Sequence, residues 1–328
     1  MRDRVEPGAP SLDETRGLAR KLAPWLVRTP IVRCRNLEIS LDGATEIWGK
    51  MEFLQQTGTF KPRGALTNLL SLDEDQLAAG ITAVSAGNHA IAAAFAAKAC
   101  GTSAKVVMIR SASPARVAAC QSYGAEVVFA DDVHQAFELA EEIRDSEGRA
   151  YIHPFEGPNV TAGTATLGLE ICEQLEAFDA IVVPIGGGGL CSGVAAAVKQ
   201  WNAGIEVIGV EPVGADSMAR SFDAGEPQKL DTVNTIADSL GAPFAMPYSY
   251  RICRQFVDQL VRIEDQQMRD AMGLLFQSMK MAVEPACSAS TAALAGPLRA
   301  HLAGKKVVLL FCGSNIDWDT FERHANLS

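Results

Sequence analysis

The sequence predicts an α/β fold built on mainly parallel sheets. Short apolar runs alternate with helical stretches along most of the chain, polar or glycine-rich loops stand where those runs end, and 328 residues suit one large or two unequal domains. Strands apolar along their whole length and joined by helices are buried on both faces, which is the habit of parallel sheets. Ligands in such folds collect outside the carboxyl ends of the strands.

The first element with a strong local signature is Thr57-Gly58-Thr59-Phe60-Lys61-Pro62-Arg63-Gly64. Proline suits the first helical turn and pushes its predecessor away from helical angles, so Lys61 is expected as the N-cap of a helix running through Leu70. The positive end of that helix favours the neutral amine, the form that attacks a carbonyl and later acts as a base. A solvated lysine in a turn is the competing reading of this motif alone.

The apolar run Ile81 to Val84 reads as a strand, and Ala90 to Ala99 as an Ala-rich helix able to pack close to a sheet. Between them lies Ser85-Ala86-Gly87-Asn88-His89, whose hydroxyl, amide and free N–H groups at a helix start suit a substrate carboxylate. The alternative is a plain helix start, with Asn88 as the cap and His89 a hydrogen-bonded bystander. The rhythm continues with a strand at Lys105 to Ile109, a helix at Pro114 to Tyr123, a strand at Glu126 to Phe129 and a helix at Asp132 to Arg144.

The strand Ile181 to Pro184 runs into Gly186-Gly187-Gly188-Gly189-Leu190, and a helix is expected from Ser192 to Trp201. Consecutive glycines let backbone N–H groups converge on a phosphate at a helix N-terminus with no side chain in the way. The loop lacks the lysine and hydroxyl of a Walker motif and the spacing of a dinucleotide fingerprint. Strands Val207 to Glu211 and Val307 to Phe311 follow, the latter ending in Phe311-Cys312-Gly313-Ser314-Asn315, which brings small polar groups to another strand end.

Composition narrows the partners. A formal net charge of −10 and no basic cluster argue against nucleic acid or an anionic membrane. The uncharged stretch Ala180 to Val198 approaches the length of a membrane span, yet its glycines fit a strand, a loop and a helix better. The eight cysteines show no C-x-x-C pair and no zinc-site spacing, which fits a reducing cytoplasm. Met1 to Gly17 has no apolar segment of a signal peptide.

A lysine, a phosphate cup, a carboxylate loop and a small polar group at a fourth strand end are the parts a pyridoxal 5'-phosphate (PLP) site requires. With T-G-T-F-K-P-R-G-A, S-A-G-N-H and G-G-G-G-L in this order, the chain resembles the fold-type-II PLP family of threonine dehydratases, serine dehydratases and serine racemases, from about Arg28 to Asp317. The resemblance implies a tryptophan-synthase-β-like fold of two parallel-sheet α/β domains with the cofactor in the cleft. A large domain is expected over residues 1–79 and 157–328, with a small inserted domain over 80–156.

By the same resemblance Lys61 holds the cofactor as a Schiff base, Phe60 packs against it, and Asn88 bonds the pyridine 3-oxygen. Gly186, Gly187, Gly188, Gly189 and Leu190 cradle the phosphate, and Cys312, or else Ser314, faces the pyridine nitrogen. Ser85, Ala86, Asn88 and His89 lie where the family binds the substrate. The implied reaction is β-elimination from a small L-3-hydroxy amino acid of the threonine or serine type. Lys61 takes the α-proton, the 3-hydroxyl leaves, and hydrolysis yields a 2-oxo acid and ammonia. A β-replacement or threonine-synthase-like reaction on the same fold is the alternative, and a non-catalytic binding protein is disfavoured by Lys61. Ala86 stands where racemisation would need an acid or base, so little racemase activity is expected.

Several positions depart from the family pattern: Thr59, Thr164-Ala165, Ser239 and Cys287. The string Ala237-Asp238-Ser239-Leu240-Gly241 is similar to a branch linked to hydroxyectoine breakdown. No metal site is expected, because Glu211 is kept while the second acidic position reads Ser217, and a lone glutamate is no cage. Ser328 follows without the regulatory domain of the isoleucine-inhibited enzymes, so the resemblance implies no feedback by isoleucine. Family habit implies a homodimer or larger assembly.

Overall fold

A computed structural model describes residues 8–325; Met1 to Pro7, part of the segment read above as carrying no signal peptide, lie outside them. Among the described residues there are ten strands. They are β1 (Ile31–Arg33), β2 (Glu46–Met51), β3 (Ile81–Val84), β4 (Ala104–Ile109), β5 (Glu126–Ala130), β6 (Ala150–Tyr151), β7 (Ala180–Pro184), β8 (Glu206–Pro212), β9 (Gln259–Ile263) and β10 (Lys306–Phe311).

The strands form two sheets, a larger one in the order β1-β2-β10-β7-β8-β9 and a smaller one in the order β5-β4-β3-β6. Every pairing is parallel except β1 with β2. Strands β7 and β10 are buried along almost their entire length because helices cover both faces, as their unbroken Val/Ile/Leu runs require. One apolar core surrounds the larger sheet, and two separate ones pack on the smaller, the larger of them around Ile81, Ala83, Val106 and Met108.

The helix Pro62–Leu69 sits at the seam. Leu66 and Leu69 join the core of the smaller sheet, together with Ile81 and Ala83. Arg63, on the same helix, faces the other way. Its guanidinium donates to both oxygens of Glu52 (2.8 and 2.9 Å) and to both of Glu170 (2.9 Å each), and all three side chains are largely shielded from solvent. A fork of five donors is the group able to serve two carboxylates at once. Lys50, fully buried, completes the cluster through Glu170 at 2.7 Å and the Thr29 carbonyl at 2.8 Å.

The helices after the two strand-end motifs begin earlier than the sequence suggests, at Asn88 and at Gly189 rather than at Ala90 and Ser192. Lys61 is the N-cap of its helix, but with φ −55° and ψ −33° it keeps helical angles in spite of the following proline. Gly87, not Asn88, is the N-cap of the second helix, which frees the Asn88 side chain for the cleft. The stretch 180–198 divides into β7, the glycine loop and a helix, and no helix among the described residues is long and apolar enough to cross a membrane.

Candidate active site

The lysine loop is fastened to the chain that leaves β10. Phe60 N–H donates to the Cys312 carbonyl (3.1 Å), Ser314 N–H to the Gly58 carbonyl (3.0 Å), and Thr59 bridges Gly313. Two segments far apart in sequence therefore hold Phe60, Lys61 and Cys312 together. Gly58 has φ +73°, and a Cβ there would lie 2.7 Å from Asn315 Oδ1. Left-handed backbone and crowding both require glycine at this turn.

Lys61 Nζ donates to the Pro154 carbonyl at 2.7 Å and lies 5.2 Å from the centre of the Phe60 ring. Burial pushes its pKa down to about 8, with the nearby Glu284 pulling partly back. Loss of water is thus the main reason that a neutral amine is available here. A small cavity beside it is lined by Phe60, Lys61, His89, His153, Gly189 and Leu190 among others.

The glycine loop carries a double constraint. Among the described residues no protein acceptor takes the N–H groups of Gly186, Gly187, Gly188, Gly189 or Leu190, so a run of donors stands open at the start of the helix Gly189–Trp201. Such a run is the recognised setting for a phosphate. The opposite side of the loop is already full. A Cβ on Gly187 would come within 2.1 Å of the Phe155 ring, and one on Gly189 within 2.3 Å of the Phe155 carbonyl oxygen. Protein packing by itself therefore requires glycine at Gly187 and Gly189.

Asn88 is held from three directions. Its amide nitrogen donates to Glu284 Oε1 and Oε2 (2.8 and 3.0 Å) and to Ser239 Oγ (3.1 Å), while its Oδ1 accepts from Asn315 Nδ2 at 2.9 Å. Glu284 is buried, and burial raises its pKa to about 7, with Asp238 adding to the rise and Asn88 opposing it. Cys312 is buried against Cys287, and that contact together with burial raises its thiol well above the ordinary value. It is therefore an uncharged group next to Lys61.

The remaining loop residues divide between the cleft and the protein. Ser85 Oγ accepts from Gly87 N–H at 3.1 Å, shaping the turn around Ala86. His89 Nε2 meets the Ile152 carbonyl at 2.8 Å, and since a carbonyl only accepts, that nitrogen carries the proton and is committed to the protein. Burial, then the nearby Lys61, lowers the His89 pKa to about 3. Glu211 accepts N–H groups of Met218 and Ala219 (2.9 and 2.7 Å), so both its oxygens cap the helix Ser217–Ala224. Asp216 is taken by Arg220 and Arg262, and no metal-holding cluster occurs among the described residues.

Three groups around the cleft were not read from the sequence as site residues. Glu284 precedes Pro285 at the start of a buried helix, and a lone acid inside the apolar run 281–289 was the available signal. His153 accepts at Nδ1 from the N–H groups of Phe155 and Glu156 (3.3 and 3.0 Å), which leaves its proton on Nε2. Arg116, from the smaller sheet's side, reaches Asp238 and the Asn315 carbonyl.

The family model of pyridoxal-phosphate-dependent enzymes matches residues 22–313. The chain belongs to this family. The enzyme is 52% identical over 318 residues to a phenylserine dehydratase of Ralstonia pickettii, with 97% of each chain covered. It is 37% identical over 309 residues to the catabolic L-threonine dehydratase TdcB of Escherichia coli K12, covering 94% of this chain and 93% of that one. The solved structure of maize serine racemase superposes with a TM-score of 0.90 at 33% identity, covering 96% of this chain and 97% of that one. The enzyme is a PLP-dependent dehydratase of the carbon–nitrogen lyase class, with the fold-type-II architecture of two parallel-sheet units. The open N–H run and the half-buried, easily deprotonated lysine fit a phosphorylated aldehyde.

Proposed function

We propose that the enzyme removes water and then ammonia from a 3-hydroxy amino acid whose C3 carries an aromatic ring, with Lys61 as the cofactor lysine. The observation that carries the lysine assignment is the half-buried Lys61, its Nζ with a pKa near 8, beside Cys312, Glu284 and the cavity that Gly189 and Leu190 line. Bound PLP supplies an electron sink for negative charge at Cα. Nζ of Lys61 would hold the cofactor through its aldehyde carbon and, when free, would act as the base for the proton on Cα. The N–H groups of Gly186 to Leu190 hold the phosphate, and Phe60 packs on the ring. Asn88, fixed by Glu284, bonds the 3-oxygen. Cys312, an uncharged thiol, would be the neighbour of the pyridine nitrogen and would offer it no negative charge.

Aromatic preference is supported by the phenylserine dehydratase relative and by two rings, Phe60 and His153, that line the cavity beside Lys61. His153 is backed by Phe155, which it meets edge to face at 4.7 Å. Aromatic side chains of this kind accept another ring at their edge or face. Borohydride reduction of the holoenzyme should place a mass adduct on Lys61. Ammonia release should be measured with serine, threonine and phenylserine without a thiol acceptor. A higher kcat/KM for phenylserine is expected; a higher value for serine or threonine overturns the aromatic preference, and absence of the Lys61 adduct overturns the whole assignment. The enzyme works as a homodimer or larger assembly in this reading, which light scattering tests.

A further inference from the structure

We infer that Arg116 binds the α-carboxylate of the substrate, exchanging Asp238 for it. This deepens the reading above and rests on it, since the amino acid must be joined to a cofactor held by Lys61.

Arg116 belongs to the helix Pro114–Ser122, between β4 and β5 of the smaller sheet, yet its guanidinium spans the mouth of the cleft. Nε and Nη2 donate to the Asn315 carbonyl (3.3 and 3.1 Å), and Nη1 pairs with Asp238. Nη1 also lies 3.2 Å from where a Cβ on Gly87 would stand, so the guanidinium covers the Ser85-to-Asn88 loop. The positive end of the helix Asn88–Ala99 opens at the same place. A carboxylate arriving there meets a backbone N–H terminus on one side and a planar fork on the other, and the fork matches two carboxylate oxygens.

Charge makes the fork necessary. The acids that act on Arg116 are Asp238, Glu284 and Asp317, with Glu284 3.9 Å from Nη2. Without a cation, a substrate carboxylate would be placed against one or two like charges. Asp238 is well suited to yield its place. Its side chain is 56% exposed against 15% for Arg116, and a pair with one member in water adds little stability. The Asn315 carbonyl keeps Arg116 aimed at the loop during the exchange.

A carboxylate site and a mere clamp between the two sides of the cleft predict opposite signs for one substitution. Steady-state kinetics should be run on the PLP-loaded wild type, R116A, R116K and D238N, with phenylserine, threonine and their carboxamides, and with cofactor absorbance and melting temperature checked for each. R116A is expected to raise KM for the acid about 10- to 100-fold, as the loss of a charge-assisted hydrogen bond does, with kcat changed far less. It should also erase the discrimination between acid and carboxamide. R116K, which keeps the charge but not the fork, should fall between. D238N should lower KM, because the competing carboxylate is gone. A D238N value at or above that of the wild type overturns the inference, as does an R116A enzyme that still prefers the acid. If R116A does not fold, R116K and D238N decide by the same criteria. A wild type without the Lys61 adduct or ammonia release sinks the functional reading instead, so the two failures are told apart.

Discussion

His89, buried, and His153, half-buried, are neutral bases beside a lysine, and their surroundings set an acid limit on the fold. Their folded pKa values are lowered to about 4 and about 3 from 6.5, mainly by burial. Between those values and 6.5 the unfolded chain takes up protons that the folded chain refuses. Each residue therefore costs stability as pH falls below about 6.5, by up to about 1.4 kcal/mol per pH unit, and costs nothing above it. Denaturant unfolding of wild type and His153→Gln from pH 7 to pH 4 should show a shallower acid loss in the variant; parallel curves would contradict this. Legibility at this scale followed local covalent logic. Lys61 was readable because a proline follows it and glycines flank it. Glu284 was not, because an acid at a helix N-cap reads as ordinary capping until tertiary structure brings Asn88 to it from residues nearly two hundred positions away.

At the scale of elements, two helices carry the glycine loop at one end and a tight seam along their length. Helix Pro158–Gln174 and helix Gly189–Trp201 approach so closely that a Cβ on Gly168 would come within 2.8 Å of the Val194 carbonyl oxygen, and one on Gly193 within 2.3 Å of the Thr161 carbonyl oxygen. Backbone cannot rotate out of the way as a side chain can. Gly168→Ala is expected to cost about 1–3 kcal/mol, seen as a lower denaturation midpoint with the urea slope unchanged. Most strands were legible from their apolar runs, β3 to the residue. The starts of the helices at Asn88 and Gly189 were missed by two or three positions because glycine and asparagine are weak helix formers, and burial overrides that weakness here. Strands β1 and β6, three and two residues long, are too short to show a period.

For the whole molecule, the proposed PLP site draws on both sheets: Asn88 follows β3 of the smaller one, while the glycine loop and Cys312 follow β7 and β10 of the larger. Any ligand there ties the two together. Stripping PLP with hydroxylamine should lower the melting temperature, and adding it back at about 100 times its Kd should restore about 2.7 kcal/mol. A melting temperature indifferent to PLP would mean that the cofactor does not hold the two parts in one cooperative unit. The α/β class and the cleft at the strand ends were legible from apolar runs and loops. The seam helix was not, since nothing local to residues 62–69 tells which of two cores it will enter.

Strand β10 lies between β2 and β7 in the middle of the larger sheet, although no described strand comes later in the chain. During synthesis on the ribosome, the neighbours on both sides must wait with bare edges until it emerges. A nascent chain halted before Lys306 should therefore be held by chaperones or aggregate rather than survive as a half-built enzyme, and an interrupted message would leave no partly active product behind.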